Sequence, residues 1–193
     1  MTEKIVLKDF IHGAIPDNGI ELAKISDRLW KLGVLDVIRE KVCPDLFALH
    51  ICINMIGCWQ GDGWHSIISE QPELVPYIPI ALETIDLKGL KSAFQQTVSV
   101  FPDFVIFKND SAYCDAVNFL QNERFKIHDE RLLKYSKDER IQMVKKYHAC
   151  LDELEELTMP LWGDGTEQDG WGLVLDFVRR KHVTLQKKCT FPL

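Results

Sequence analysis

Lysine and arginine are absent from two long stretches of this sequence. Between Val42 and Leu87 there are six acids and no basic side chain, and between Tyr147 and Val178 eight acids and again none. Setting those fourteen acids aside leaves fifteen of the 29 against all 23 Lys and Arg, so the net charge of −6 divides into −6, −8 and +8. Segregation of this kind concerns what a protein meets more than how it folds. Other absences narrow the class. The six cysteines, at 43, 52, 58, 114, 150 and 189, include no pair spaced as in zinc or thioredoxin-like sites. Most sit among apolar neighbours, as small buried hydrophobes do, and free thiols suit a reducing cytoplasm. No apolar run approaches the roughly 20 residues of a membrane span. Met1-Thr2-Glu3-Lys4 leads into an Ile5-Val6-Leu7 run that Lys8 and Asp9 interrupt, so no signal peptide is expected and the expected localisation is cytoplasmic. Nucleophile elbow, phosphate loop, dinucleotide fingerprint and His-Glu-x-x-His are all missing, and no repeat period is visible.

What is present suits a single folded unit. A chain of 193 residues can bury a core without staples, and 46% hydrophobic with 27% charged residues is an ordinary soluble composition. Residues 1–20 form a lead-in closed by the turn signal Pro16-Asp17-Asn18-Gly19. A helix follows, with Leu22, Ile25, Leu29 and Leu32 at helical spacing. Pro44-Asp45 opens a second, running to about Trp59 and apolar nearly all round, as befits the centre of a core. Its polar members His50 and Asn54 lie four apart and should bond to each other inside the protein. After Gly61-Asp62-Gly63 a short helical stretch is expected over 64–70, then helices over 79–85 and about 87–101, the latter capped by Asp86. Phe104-Val105-Ile106-Phe107, within 103–109, is the only strand-like segment. Asp110 can cap a helix through Glu123, and Ser136 with Glu139 forms a capping box. The helix it starts carries Ile141, Val144, Tyr147, Leu151, Leu154 and Leu157 on one face and should end at Pro160. A last helix, about Gly170 to His182, finishes in Arg179-Arg180-Lys181, leaving 184–193 as a C-terminal tail. The expected fold is mainly α, one globular domain of about seven or eight helices with short connections.

The acids Asp152, Glu153, Glu155 and Glu156 stand out. Like charges three or four apart on a helix oppose each other by about 0.2–0.5 kcal/mol per pair. They also crowd the negative pole of their helix, where an anion is unfavourable by a few tenths up to about 1 kcal/mol. Asp164, Glu167, Asp169 and Asp176 extend the same sign without a local counter-ion. The plain alternative is a solvated face balanced by cations from elsewhere in the chain. Violations of local rules, however, collect at functional sites. The run Asp164 to Gly170 lacks the ligand spacing of a calcium loop, so no metal or cofactor is expected, and its aspartates read as caps of the following helices. His65 beside Asp62, or Cys58 with His50, could be recruited for catalysis, but no motif supports a catalytic residue. The basic segments Arg124 to Lys146 and Arg179 to Lys188 are interleaved with acids in the first case, and the pI is near 5.5, so they read as internal counterweights rather than a direct nucleic-acid surface.

The turn Asp62-Gly63-Trp64 also carries a family resemblance. Gly61-Asp62-Gly63-Trp64-His65-Ser66-Ile67-Ile68-Ser69, then Pro76, Ala81-Leu82, Ile85 and Phe101-Pro102, resemble the bacterial nineteen-kilodalton DNA-mimic protein family, an all-helical domain of unknown function. Members typically show Asn-Gly-Gly at the turn, a Gln and aromatics in the next helix, then an Ala-Leu helix and a Phe-Pro. Here Ser66 stands for the Gln, and Ile67 and Ile68 for aromatics. The likeness spans residues 45–102. It implies an acidic helical protein that presents carboxylates, as DNA presents phosphates, to a DNA-binding protein.

Two functions are thus expected as rivals. One is an acidic interaction protein that occupies a basic surface of a partner, for instance a transcription factor, through Asp152, Glu153, Glu155, Glu156, Asp164, Glu167, Asp169 and Asp176, without binding nucleic acid or membrane itself. The other is a small-molecule-binding or catalytic domain built around the tryptophan-flanked turns, with a pocket walled by Trp59, Trp64, Trp162 or Trp171. A plainer third is a structural partner that docks through an apolar patch.

Overall fold

A computed structural model describes residues 4–11, 15–122 and 126–189, with side chains as far as His182. Its order is α1 (Gly19–Trp30), α2 (Leu35–Lys41), α3 (Pro44–Glu70), α4 (Ile78–Thr84), α5 (Lys88–Val98), α6 (Ser111–Gln121), α7 (Lys137–Trp162) and α8 (Gly172–Cys189), with four short 3-10 turns. The protein is mainly α, as expected. α3 is the axis, and α1, α2, α4, α7 and α8 all pack on it. From Leu46 to Ile53 every side chain of α3 is buried, which its all-round apolar sequence requires. α5 and α6 reach the core by packing on α7.

Caps follow the sequence where a short polar side chain precedes a helix. Asn18 accepts from the Glu21 N–H at 3.0 Å, and Asp110 from the Tyr113 N–H at 2.9 Å. In the capping box, Ser136 Oγ accepts from the Glu139 N–H at 3.2 Å while Glu139 accepts from the Ser136 N–H at 2.7 Å. The lead-in is tied down as well: Ile5 donates to the Lys41 carbonyl and accepts from the Cys43 N–H, at 3.0 and 2.8 Å. Residues 1–3 and 12–14 of that segment lie outside the described residues.

Several expectations need correction. Asp86 does not cap α5; it adopts φ +63° and contacts Lys88, and Leu87 takes the cap position. The 103–109 segment is no strand. Among the described residues it pairs with no extended segment, and ring contacts of Phe107 with Phe101 and Tyr113 hold it as an irregular loop, with Ile106 65% exposed. α6 ends at Gln121, and Glu123 lies outside the described residues. Pro160 does not end α7, which continues to Trp162, because the proline removes only one ladder bond and Gly163 still donates to the Met159 carbonyl at 3.0 Å. On the same helix Leu157 is 41% exposed and Thr158 is buried in its place. α8 starts two residues later than expected and extends to Cys189, so 184–189 is helix rather than tail; residues 190–193 lie outside the described residues. α2 has no counterpart in the sequence reading.

Candidate functional site: a cleft around Glu155

α3 is interrupted at the Gly-Asp-Gly turn. Asp62 (φ −144°, ψ 19°) and Gly63 (φ 71°, ψ −170°) leave helical geometry, and the chain re-enters the helix at Trp64. A new helical start needs its N–H groups satisfied. Asp62 does not supply a cap. Instead Glu155 reaches across from α7: its Oε1 accepts from the Trp64 N–H and its Oε2 from the Trp59 indole Nε1, both at 2.8 Å. Gly63 makes room, since a Cβ there would lie 2.5 Å from Glu155 Oε1. Glu155 is therefore half-buried and committed to the fold, a correction to its expected place among the presented acids.

The tryptophans expected to wall a pocket divide into two roles. Trp64 is fully buried; its indole N–H donates to Thr158 Oγ1 at 2.8 Å, and Thr158 donates in turn to the Leu154 carbonyl. Trp59 and Trp162 meet edge to face at 5.7 Å and form a floor. Trp171 is half-buried and leans on Gly19, whose missing side chain admits the ring. Gln60 ties the α7–α8 connection to α3 by donating to the Trp162 and Asp169 carbonyls at 3.3 and 2.6 Å. Gly170 (φ 85°) lets the backbones close up, because a Cβ there would sit 2.8 Å from Trp162 Cα. Gln168 and Asp169 also take positive φ, 51° and 52°.

Between the α3 break and the α7–α8 connection lies an open cleft of about 640 Å³. Trp59, Trp162 and Trp171 line it together with Asp62, Asp164 and Asp169. Glu155 sits at its base and Met159, 57% exposed, at its mouth. His65 is exposed and outside this lining. His50 is not beside Cys58 as a catalytic pair would need. It is buried between α1 and α3, where its Nδ1 contacts Ser26 Oγ at 3.0 Å and Asn54 donates to its carbonyl at 2.7 Å. Burial lowers its pKa to about 4, leaving a neutral ring.

The remaining expected acids stand outward. On α7, Asp152, Glu153 and Glu156 fall within an arc of about 100°, opposite the buried Leu151, Leu154 and Thr158. Together with Asp164, Glu167 and Asp169 they are exposed, and no described Lys or Arg lies within 4.0 Å of any of them. Asp176 is different: Arg179 holds it at 2.9 Å. Lys181 likewise holds Asp45 at 2.7 Å. The expected counterweight of the C-terminal cations is therefore realised at these two acids.

No protein-family model matches the chain, and no curated protein or solved structure matches it. Its chemistry has to be read from its own atoms. Among the described residues no three His, Cys, Asp or Glu side chains converge to hold a metal ion, and no helix is long and apolar enough to cross a membrane. The sequence reading overlooked Glu155 as a brace, and with it Gln60 and Thr158. One signal was available: Glu155 follows Leu154 directly and flanks the Leu151–Thr158 stripe, unlike the acids on either side of it.

Proposed function

We propose that this chain is an acidic interaction protein that presents carboxylates to the basic surface of a DNA-binding partner, in the manner of a DNA mimic. The observation that carries this reading is the set of six exposed acids, Asp152, Glu153, Glu156, Asp164, Glu167 and Asp169, with no ion pair among the described residues. Those on α7 oppose one another at spacings of three and four, so the fold gains nothing from their mutual placement. Carboxylates one helical turn apart are about 5–6 Å from each other, a spacing akin to that of neighbouring phosphates on a strand. A basic groove built to neutralise phosphates meets the same charge pattern here.

The test is capture from a bacterial lysate on the immobilised chain, at low and high salt and with duplex DNA as competitor. DNA-binding proteins should be retained at low salt, released by salt and displaced by duplex DNA. A variant with Asp152→Asn, Glu153→Gln and Glu156→Gln should lose most of that retention. Retention that ignores salt, DNA and these substitutions overturns the reading. The cleft favours a second reading, a domain that takes up a small molecule. A diffusible ligand would raise the Tm by mass action, which the first reading does not require.

A further inference from the structure

α7 carries its outward charges in two blocks of opposite sign. Lys145 and Lys146 stand on one side of Ala149, Asp152 and Glu153 on the other, and all five are exposed. At about 3.6 residues per turn these positions share one face with the exposed Gln142 and Glu156, and Ala149 lies at its middle.

Neither block is neutralised by the molecule itself. Among the described residues no opposite charge lies within 4.0 Å of Lys145, Lys146, Asp152 or Glu153. Nor can the blocks reach each other. Helical ion pairs form at spacings of three or four. Lys145 and Asp152, like Lys146 and Glu153, are seven apart, about 10.5 Å along the axis. Position 149, within three or four of all of them, holds an uncharged alanine.

The order of the blocks selects what can lie along the whole face. A uniformly basic surface meets the two lysines, and a uniformly acidic one meets the carboxylates. A parallel copy of the chain sets like charge on like. An antiparallel copy, turned about a two-fold axis at Ala149, sets Lys145 against Asp152 and Lys146 against Glu153. Each pair then forms twice, as in any isologous contact. Gln142 faces Glu156 as an amide donor, and the half-buried Ile141 comes alongside the exposed Met159. Alanine at the crossing point lets two helices approach to the usual separation of about 8–10 Å between axes.

We infer that the outward face of α7 docks, antiparallel, on the same face of a second copy of this chain. The inference goes beyond the preceding reading and does not depend on it. A second copy covers Asp152, Glu153 and Glu156, so it competes with any basic partner for them. Exposed ion pairs are individually weak and are screened by salt. The association is therefore reversible and concentration-dependent.

The experiment is sedimentation velocity of the full chain over a concentration series at low and high salt. A dimer should build up with concentration at low salt and be lost at high salt. Lys145→Glu with Lys146→Glu makes the face wholly acidic, and Asp152→Lys with Glu153→Lys makes it wholly basic. Each variant alone should stay monomeric, with native far-UV circular dichroism. Mixed in equal amounts the two should associate, because every pair in the antiparallel register is again opposite. All four substitutions in one chain should restore self-association. A native chain that stays monomeric at low salt overturns the proposal. So does a dimer that ignores salt or survives in either two-site variant, or a mixture that stays monomeric. The partner reading fails separately. Capture of DNA-displaceable proteins by a chain that never self-associates leaves the mimic standing and removes this contact; a dimer that captures none removes the mimic.

Discussion

Glu155 and Trp64, 91 residues apart, are joined by a hydrogen bond of 2.8 Å from the Trp64 amide to the Glu155 carboxylate, so the second half of α3 is capped by a side chain of α7. Glu155→Gln keeps the shape but turns an NH2 group toward one of two donors. A hydrogen bond to a charged group contributes about 1.5–3 kcal/mol. Urea unfolding of this variant should show a loss in that range, and Glu155→Ala a larger one. A loss below a few tenths would mean that the brace is dispensable.

Gly63 belongs to the same arrangement. Its φ of 71° and the 2.5 Å approach of a would-be Cβ to Glu155 Oε1 both oppose a side chain. Gly63→Ala should destabilise by about 1–3 kcal/mol from backbone conformation alone, because φ 71° with ψ −170° is open essentially to glycine only, with a further loss from the displaced carboxylate. In a double-mutant cycle with Glu155→Ala that further loss should vanish, because the carboxylate is already gone. Strict additivity would show that the two positions act independently.

The outward acids should behave in the opposite way. Asp152→Asn, Glu153→Gln and Glu156→Gln together remove the like-charge pairs 152/156 and 153/156 at spacings of four and three. Stability at low salt should rise by a few tenths to about 1 kcal/mol, and the gain should shrink as salt is added. A rise in stability combined with loss of partner capture would mark these groups as kept for binding; a fall in stability would give them a structural role.

His50 gives a pH dependence with a definite sign. Unfolded, its imidazole titrates near its ordinary 6.5; folded, burial holds it at about 4. Between those values the unfolded chain binds the extra proton, so the contribution is fully present above pH 6.5 and is lost as pH falls toward 4. The total is of order 3 kcal/mol. Wild-type stability should therefore decline faster than that of His50→Gln across this window. An NMR titration showing His50 protonating near 6.5 in the folded protein would refute the assignment.

Much of the fold was legible because its signals are local. Asn18, Asp110 and Ser136 cap helices through oxygens that reach N–H groups three residues on, and α3 announces itself by an apolar surface with no polar stripe. The failures share a cause. Intrinsic preference misleads at Pro160 and the 104–107 run, because the first sits in a last turn where only one bond is lost and the second has no strand among the described residues to pair with. α2, seven residues without a side-chain cap, leaves almost no local mark. At the site, the sequence located Trp59, Trp162, Trp171 and the rim aspartates but could not sort the acids of α7. That distinction depends on the break at Gly63, which only tertiary contact brings opposite Glu155.

The cross-brace has a further consequence for how the surface arises. The halves of α3 lie early in the chain, and the carboxylate that locks them comes from its last quarter. The recess consequently has no fixed shape until α7 docks, and the same docking event sets the outward acids in place. Cleft and folding core are completed together, so a partly assembled chain carries neither the recess nor the charged ridge beside it.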